Sequence, residues 1–410
     1  MTGELRDNRA IRLLMVNQLT INIGFYMLMP YLAAHLTGGL GLAVWLAGLV
    51  LGVRNLCQQG LFLVGGTLAD RVGYKPMILA GLLLRTVGFA LLGVAEQVPV
   101  LLAASALTGL AGALFNPAAR AYLAQEAGER RVEAFALFNV FYQTGILVGP
   151  LVGLLLNGLA FRVTCLTAAA LFAVLAVAQA RALPSRRGSR AGAEGGVLTD
   201  WRAALADRRF VLFTLVMAGS YTLGFQVYLS LPLAAPEQAT WIFVLSGAMA
   251  VLGQVRVTSW VSAHWSPERA MATGLAVMGL AFVPPAVAAG PVTVLVAAGL
   301  LTLGTMIVYP FEMAAVAAYG ADRVGTYYGL YSTVAGLAIA IGNAAIGAAL
   351  QSGAAWWALA ALGGACALAL RLLVGGTGRA SRRAGLRDRP SGGGRRRTPQ
   401  DTWSGETETT

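Results

Sequence analysis

Charge is what this chain has least of. Asp, Glu, Lys and Arg make up 12% of its 410 residues, about half the share of a soluble domain, against 57% hydrophobic residues and a mean hydropathy of +0.68. That balance excludes a soluble fold. Histidine is almost missing: His35 and His264 stand isolated near the ends of apolar runs. A polytopic membrane enzyme would need paired carboxylates, a His-rich cluster or a nucleophile with its base at a membrane face, so that class is a remote alternative. Cysteine is scarce too. Cys57, Cys165 and Cys366 fall inside apolar runs, are odd in number and lack ligand spacing, so neither a disulfide framework nor a zinc site is implied. No cofactor or metal is expected. Lysine is reduced to Lys75, and the other 29 basic residues are arginine. That bias, with abundant Ala and Gly, suggests a GC-rich bacterial genome and hence the bacterial cytoplasmic membrane. The net charge of +12 does not imply nucleic acid, because the arginines lie in short connections and the tail, where orientation in the membrane explains them.

What is present is apolar sequence in long runs. Twelve candidate spans of bilayer length cover 10–35, 43–69, 76–95, 98–124, 133–157, 161–182, 209–233, 239–262, 269–288, 291–318, 326–350 and 354–374. The first run is far longer than a signal h-region and continues into further spans, so no cleavable signal is expected. With both termini in the cytoplasm, every Lys and Arg except Arg54, Arg85, Arg162 and Arg256 falls in a cytoplasmic segment or at its helix ends. A miscounted span would invert that asymmetry downstream, so the arginines support an even dozen.

The sharpest local feature is the turn between the second and third spans, Gly66 to Ile78, which carries Asp70, Arg71 and Lys75 around Gly73. Such charges cannot sit in hydrocarbon, and a glycine can take positive φ there. The turn therefore lies at the headgroups, and its basic residues face it inward.

The longest connection, 183–208, separates an N-terminal six-span unit (1–182) from a C-terminal one (209–374). Its Gly- and Arg-rich first part reads as a flexible linker, and Asp200-Trp201-Arg202 onward as a short amphipathic surface helix. The tail, 375–410, is rich in Gly, Arg and Thr and is expected to be disordered. The halves echo each other at a constant offset of 193: Asn116-Pro117 matches Tyr309-Pro310, and Gly149-Pro150 matches Gly342-Asn343. Internal repetition of this kind builds alternating-access carriers.

These residues resemble the major facilitator superfamily, similar to its drug:proton antiporters and most of all to multidrug-resistance efflux proteins of the MdtH type, over residues 8–374. The pattern G-x-L-x-D-R-x-G-x-K-x-x-aliphatic is met by Gly66, Leu68, Asp70, Arg71, Gly73, Lys75 and Ile78, with Tyr74 where a second basic residue is usual. Gly145, Gly149, Pro150 and Gly153 resemble the antiporter motif, with Leu154 replacing its final Gly. Leu51 to Asn55 followed by Gln58-Gln59-Gly60 is similar to that efflux branch. The resemblance implies an all-α membrane protein of twelve transmembrane helices in two pseudo-symmetric six-helix bundles, with Asp70 accepting bonds at the other half's helix end. It also implies that Arg71 and Lys75 complete a cytoplasmic charge cluster that biases the outward-facing state. Gly145, Gly149 and Gly153 share one helix face, where another helix can approach closely, for gating or for packing alone.

Polar residues inside spans are costly unless they meet water, substrate or a partner, which makes them site candidates. The first span places Gln18, Asn22 and Tyr26 four residues apart, the fifth Asn139 and Gln143 next to Tyr142, and the fourth Asn116 with Arg120 one turn on. The second half offers Tyr221, Gln226, Tyr309, Glu312 and Tyr331. Amides and aromatics in an apolar cavity suit an amphiphilic organic molecule. Arg54 either pairs with Gln58 and a carbonyl or attracts an anionic substrate, and Arg85 packs behind the cavity. Arg256 and Glu312 lie at similar depth in their spans and are expected to form an ion pair or close network.

The function this implies is a secondary active transporter exporting small amphiphilic molecules, with import of a metabolite as the rival. The partners expected are a small-molecule substrate, protons as coupling ion and the lipid bilayer, for a chain acting as a monomer. Proton coupling comes from the resemblance alone. Where this branch commonly has acids, the sequence has Asn17 and Asn116, leaving Glu312 as the acid well inside a span.

Overall fold

The computed structural model describes residues 8–186, 188, 196–320, 322–349 and 354–387, and among them every regular element is a helix. Backbone polar groups in hydrocarbon must be satisfied within their own segment, which leaves long apolar runs little choice. The longer helices are α1 (Arg9–Tyr26), α2 (Val44–Gly60), α3 (Phe62–Val72), α4 (Tyr74–Val94), α5 (Val98–Ala127), α6 (Arg131–Asn157) and α7 (Phe161–Ala182). They continue with α8 (Val197–Ala206), α9 (Arg208–Phe225), α10 (Ala239–His264), α11 (Pro267–Leu280), α12 (Pro291–Tyr319), α13 (Val324–Ala349) and α14 (Ala354–Arg387). Helix starts follow local chemistry: Asn8 caps α1, Asp207 caps α9 and Ser266 caps α11 through side-chain oxygens.

Ten stretches of the described residues are long and apolar enough to cross a membrane, or eleven if α2 and α3, bent by 46°, count as one. One stretch, Val98–Leu156, is 59 residues long and holds both α5 and α6, joined by a 3-10 turn at Gly128–Arg130. Leucines such as Leu56, Leu155 and Leu252 stand exposed on the outside of the helices. The described residues up to Arg371 form one compact unit.

The expected spans change in detail. The second is two helices, because the ladder breaks after Gly60, a poor helix former. The first ends at Tyr26 and continues as Met29–Ala34 and a π-helical turn, His35–Gly39, with Pro30 at the restart. Most of the charged turn is helix: α3 runs through Asp70 and Arg71 to Val72, and Gly73 alone, at φ 111, redirects the chain into α4. The surface helix expected in the connection is α8, while residues 189–195 of the flexible part lie outside the described residues. Of the tail expected to be disordered, 375–387 are helical and 388–410 lie outside the described residues.

Candidate functional site

The charged turn joins the two sequence halves. Asp70, fully buried, accepts from the backbone N–H groups of Gly325 and Thr326, both at 2.7 Å, and from Thr326 Oγ1 at 2.8 Å. These donors belong to the first turn of α13, where N–H groups lack partners inside the helix and the dipole favours an anion. Gly66 permits the approach: a Cβ built there would lie 2.0 Å from the carbonyl oxygen of Gly325.

A second layer comes from α8. Asp200, fully buried, accepts from Arg71 Nε and Nη2 at 2.8 and 2.6 Å through one oxygen and from Arg323 Nε at 3.0 Å through the other. Trp201 Nε1 donates to Thr67 Oγ1 at 2.9 Å. The connection helix thus ties the end of α3 to the start of α13. Lys75 departs from the expected cluster: its Nζ donates to the Ala180 carbonyl at 2.7 Å, at the C-terminal end of α7, where a cation is favoured. Asp200 escaped the sequence reading because an acid on a short amphipathic helix looks solvated; its direction is decided by what the helix packs against.

The glycine stripe of α6 lies against α1. A Cβ on Gly145 would sit 2.5 Å from Asn22 Cβ, one on Gly149 2.7 Å from Tyr26 Cβ, and one on Gly153 2.1 Å from the Met27 carbonyl. Pro150 adds an acceptor to this seam, its carbonyl taking the Tyr31 hydroxyl at 3.0 Å.

Between the halves lies a cavity of about 160 Å³, walled by Gln18, Gln58, Gln59, Phe62, Asn116, Arg120, Phe138, Tyr142, Tyr221, Ser332, Ala335, Gly336 and Ile339. Of the cavity residues expected from sequence, Gln18, Asn116 and Tyr221 are in this wall. Others pair between or along helices: Asn22 donates to the Tyr142 carbonyl at 3.2 Å, Asn139 to Gln254 Oε1 at 2.8 Å, and Gln226 to the Thr222 carbonyl at 2.8 Å and Asn343 Oδ1 at 3.2 Å. Arg54 lies over the Phe25 ring, 4.3 Å from its centre, and donates to Asn55 and to Gln58, itself a wall residue. Tyr26, Gln143 and Tyr309 are half-buried outside the wall. Arg85 is buried between the Phe115 and Phe172 rings, as its packing role anticipated. The wall residues the sequence singled out least are Phe62, Phe138 and Ser332, which carry no polar periodicity of their own.

The pair expected between Arg256 and Glu312 does not form. Arg256 is exposed and donates to the Leu252 carbonyl at 3.3 Å. Glu312 is 2% exposed and accepts from Ser220 Oγ at 2.8 Å and from the Tyr331 hydroxyl. Equal depth was not enough. Two positions are about 200° around a helix, so with Gln254 turned inward to Asn139 and the Met306 carbonyl, Arg256 must turn out. Among the described residues no three His, Cys, Asp or Glu side chains gather as a metal site requires.

The family model of the Major Facilitator Superfamily matches residues 14–235, and an uncharacterized MFS-type transporter of Mycobacterium tuberculosis is 51% identical over 363 residues, 84% of this chain and 87% of that protein. The chain belongs to the major facilitator superfamily. This facilitator protein is also 30% identical to the multidrug resistance protein MdtH of Escherichia coli over 339 residues, 81% of this chain and 83% of that one. Among solved folds, FucP in its outward conformation gives a TM-score of 0.74 at 14% identity, covering 88% of this chain and 98% of that one. The human organic anion transporter MFSD10 gives 0.73 at 16% identity, with 88% and 99% covered. Likeness at that identity concerns fold alone. The protein is thus a multi-span membrane transporter, not an enzyme.

Proposed function

We propose that this transporter exports small amphiphilic organic molecules from the bacterial cytoplasm by alternating access, coupled to proton influx. The observation that carries the reading is the contact of Asp70 with the start of α13, which holds the two sequence halves together by a handful of breakable hydrogen bonds. A volume of about 160 Å³ is well short of the ~300–1,000 Å³ of drug-sized sites, so loading requires the halves to part. Because the Asp70 contact consists of bonds that a rocking motion can break and remake, it acts as the inner gate. The likeness to MdtH supports efflux over import.

The reading includes twelve crossings with both termini in the cytoplasm. It is supported by α5 and α6 being separate helices within one apolar stretch, by α2 and α3 together making one bent crossing, and by the distribution of arginine. Glu312 serves as the coupling acid. Its hydroxyl partners, Ser220 and Tyr331, are chain neighbours of the wall residues Tyr221 and Ser332, so a change in its protonation is felt one residue from the cavity.

The test is a drug-sensitivity panel, paired with accumulation of labelled compounds, in cells with and without the gene. Cells lacking it are expected to accumulate more of the compounds to which they become sensitive. Lower accumulation without the gene would establish import instead.

A further inference from the structure

Arg120 is the one charged side chain in the cavity wall. Among the described residues it forms no ion pair: its Nη1 donates to Ser332 Oγ at 3.1 Å, and Glu312 is engaged by Ser220 and Tyr331. The other polar wall groups are the amides of Gln18, Gln58, Gln59 and Asn116 and the phenols of Tyr142 and Tyr221. A guanidinium offers five donors in a planar fork, and no carboxylate is bonded to this one, so the fork is open to an anion that enters the cavity. Opposite it in chemistry, Phe62, Phe138 and Ile339 provide an apolar surface in the same wall.

We infer that Arg120 anchors the acidic group of the substrate, so that the transported class is amphiphilic organic anions, a carboxylate or sulfonate on an aromatic or alicyclic body. This rests on the cavity being the transport site. The planar fork matches a carboxylate or sulfonate through two parallel hydrogen bonds. The same group repels lipophilic cations, which find no carboxylate in the wall to compensate them. Arg54 donates to the wall residue Gln58 without entering the wall itself.

The experiment uses the full chain reconstituted in vesicles of zwitterionic lipid, so that no anionic headgroup competes. Three probes of one shape are compared: 1-naphthalenesulfonate, a permanent anion; 1-naphthalenesulfonamide, neutral; and naphthyltrimethylammonium, a permanent cation. Wild-type protein is expected to move the sulfonate and to exclude the cation. Arg120→Gln is expected to weaken apparent affinity for the sulfonate by about tenfold or more, as loss of a charge-assisted bidentate pair does, with Arg120→Lys intermediate and affinity for the sulfonamide changed less than about twofold. Transport of the cation in preference to the sulfonate, or an Arg120→Gln variant that handles the sulfonate as wild type does, overturns the anion assignment and leaves the carrier reading standing. Failure of the wild type to move any of the three overturns the assignment for this class, and the cellular accumulation panel then decides the carrier reading separately. If Arg120→Gln does not fold, the wild-type ranking of the three probes decides by itself.

Discussion

Asp70 and Thr326 are 256 positions apart in the chain, yet the carboxylate of one takes both the backbone N–H and the hydroxyl of the other, at 2.7 and 2.8 Å. Few contacts say more about how the halves are held. Asp70→Ala removes three bonds to a buried charge and is expected to cost about 3 kcal/mol or more; Asp70→Asn, which keeps one acceptor, costs less. Thermal unfolding in detergent measures this. Thiol labelling of cysteines placed along the α3–α13 seam should rise in both variants, and unchanged labelling would show that the contact holds no gate.

Gly66→Ala tests close approach without touching charge. With its Cβ 2.0 Å from a backbone oxygen and no flexible side chain to move aside, the two helices must separate. The expected result is a protein that reaches the membrane but loses most transport. Retention of half the wild-type rate would mean that α13 can shift freely.

Asp200 receives arginines from both halves, Arg71 and Arg323, each about one-fifth exposed. Asp200→Asn is expected to destabilise the closed face by about 1–3 kcal/mol, and a double-mutant cycle with Arg323→Gln should return a clear coupling energy. Additive effects would remove α8 from the gate.

Glu312→Gln keeps shape and hydrogen bonding but not the ability to lose a proton. Transport by that variant should persist down a substrate gradient and lose its response to an imposed pH gradient. Undiminished, still pH-driven export dismisses Glu312 as the coupling acid. Arg256→Gln, on an exposed side chain, should change export less than about twofold.

Asn139→Ala should act on stability alone. It strips Gln254 of a buried partner at 2.8 Å and is expected to cost about 1–3 kcal/mol, with the order of preferred substrates unchanged. A reordered drug profile would put Asn139 in contact with substrate after all.

Much of this protein is determined by its sequence taken alone. Low charge and long unbroken apolar runs dictate membrane helices, since a helix satisfies its backbone within its own segment and a barrel strand would alternate polar and apolar residues. The spacing of Asp70, Arg71, Gly73 and Lys75 marks the turn, and three glycines four residues apart mark a helix seam. These signals are local, or they depend on depth along a helix, which residue count measures directly. Direction around the helix is another matter. Helices apolar on every side carry no amphipathic signal, so tertiary packing alone decided that Gln18 and Asn116 face the cavity while Asn139 and Gln226 face neighbouring helices. The same packing turned Arg256 out, bent the second span to bring Gln58 and Gln59 inward, and buried Asp200 between two arginines. Each outcome depends on which helix stands alongside, and that is settled only by tertiary packing, within a half for Gln226 and between the halves for Asn139 and Asp200.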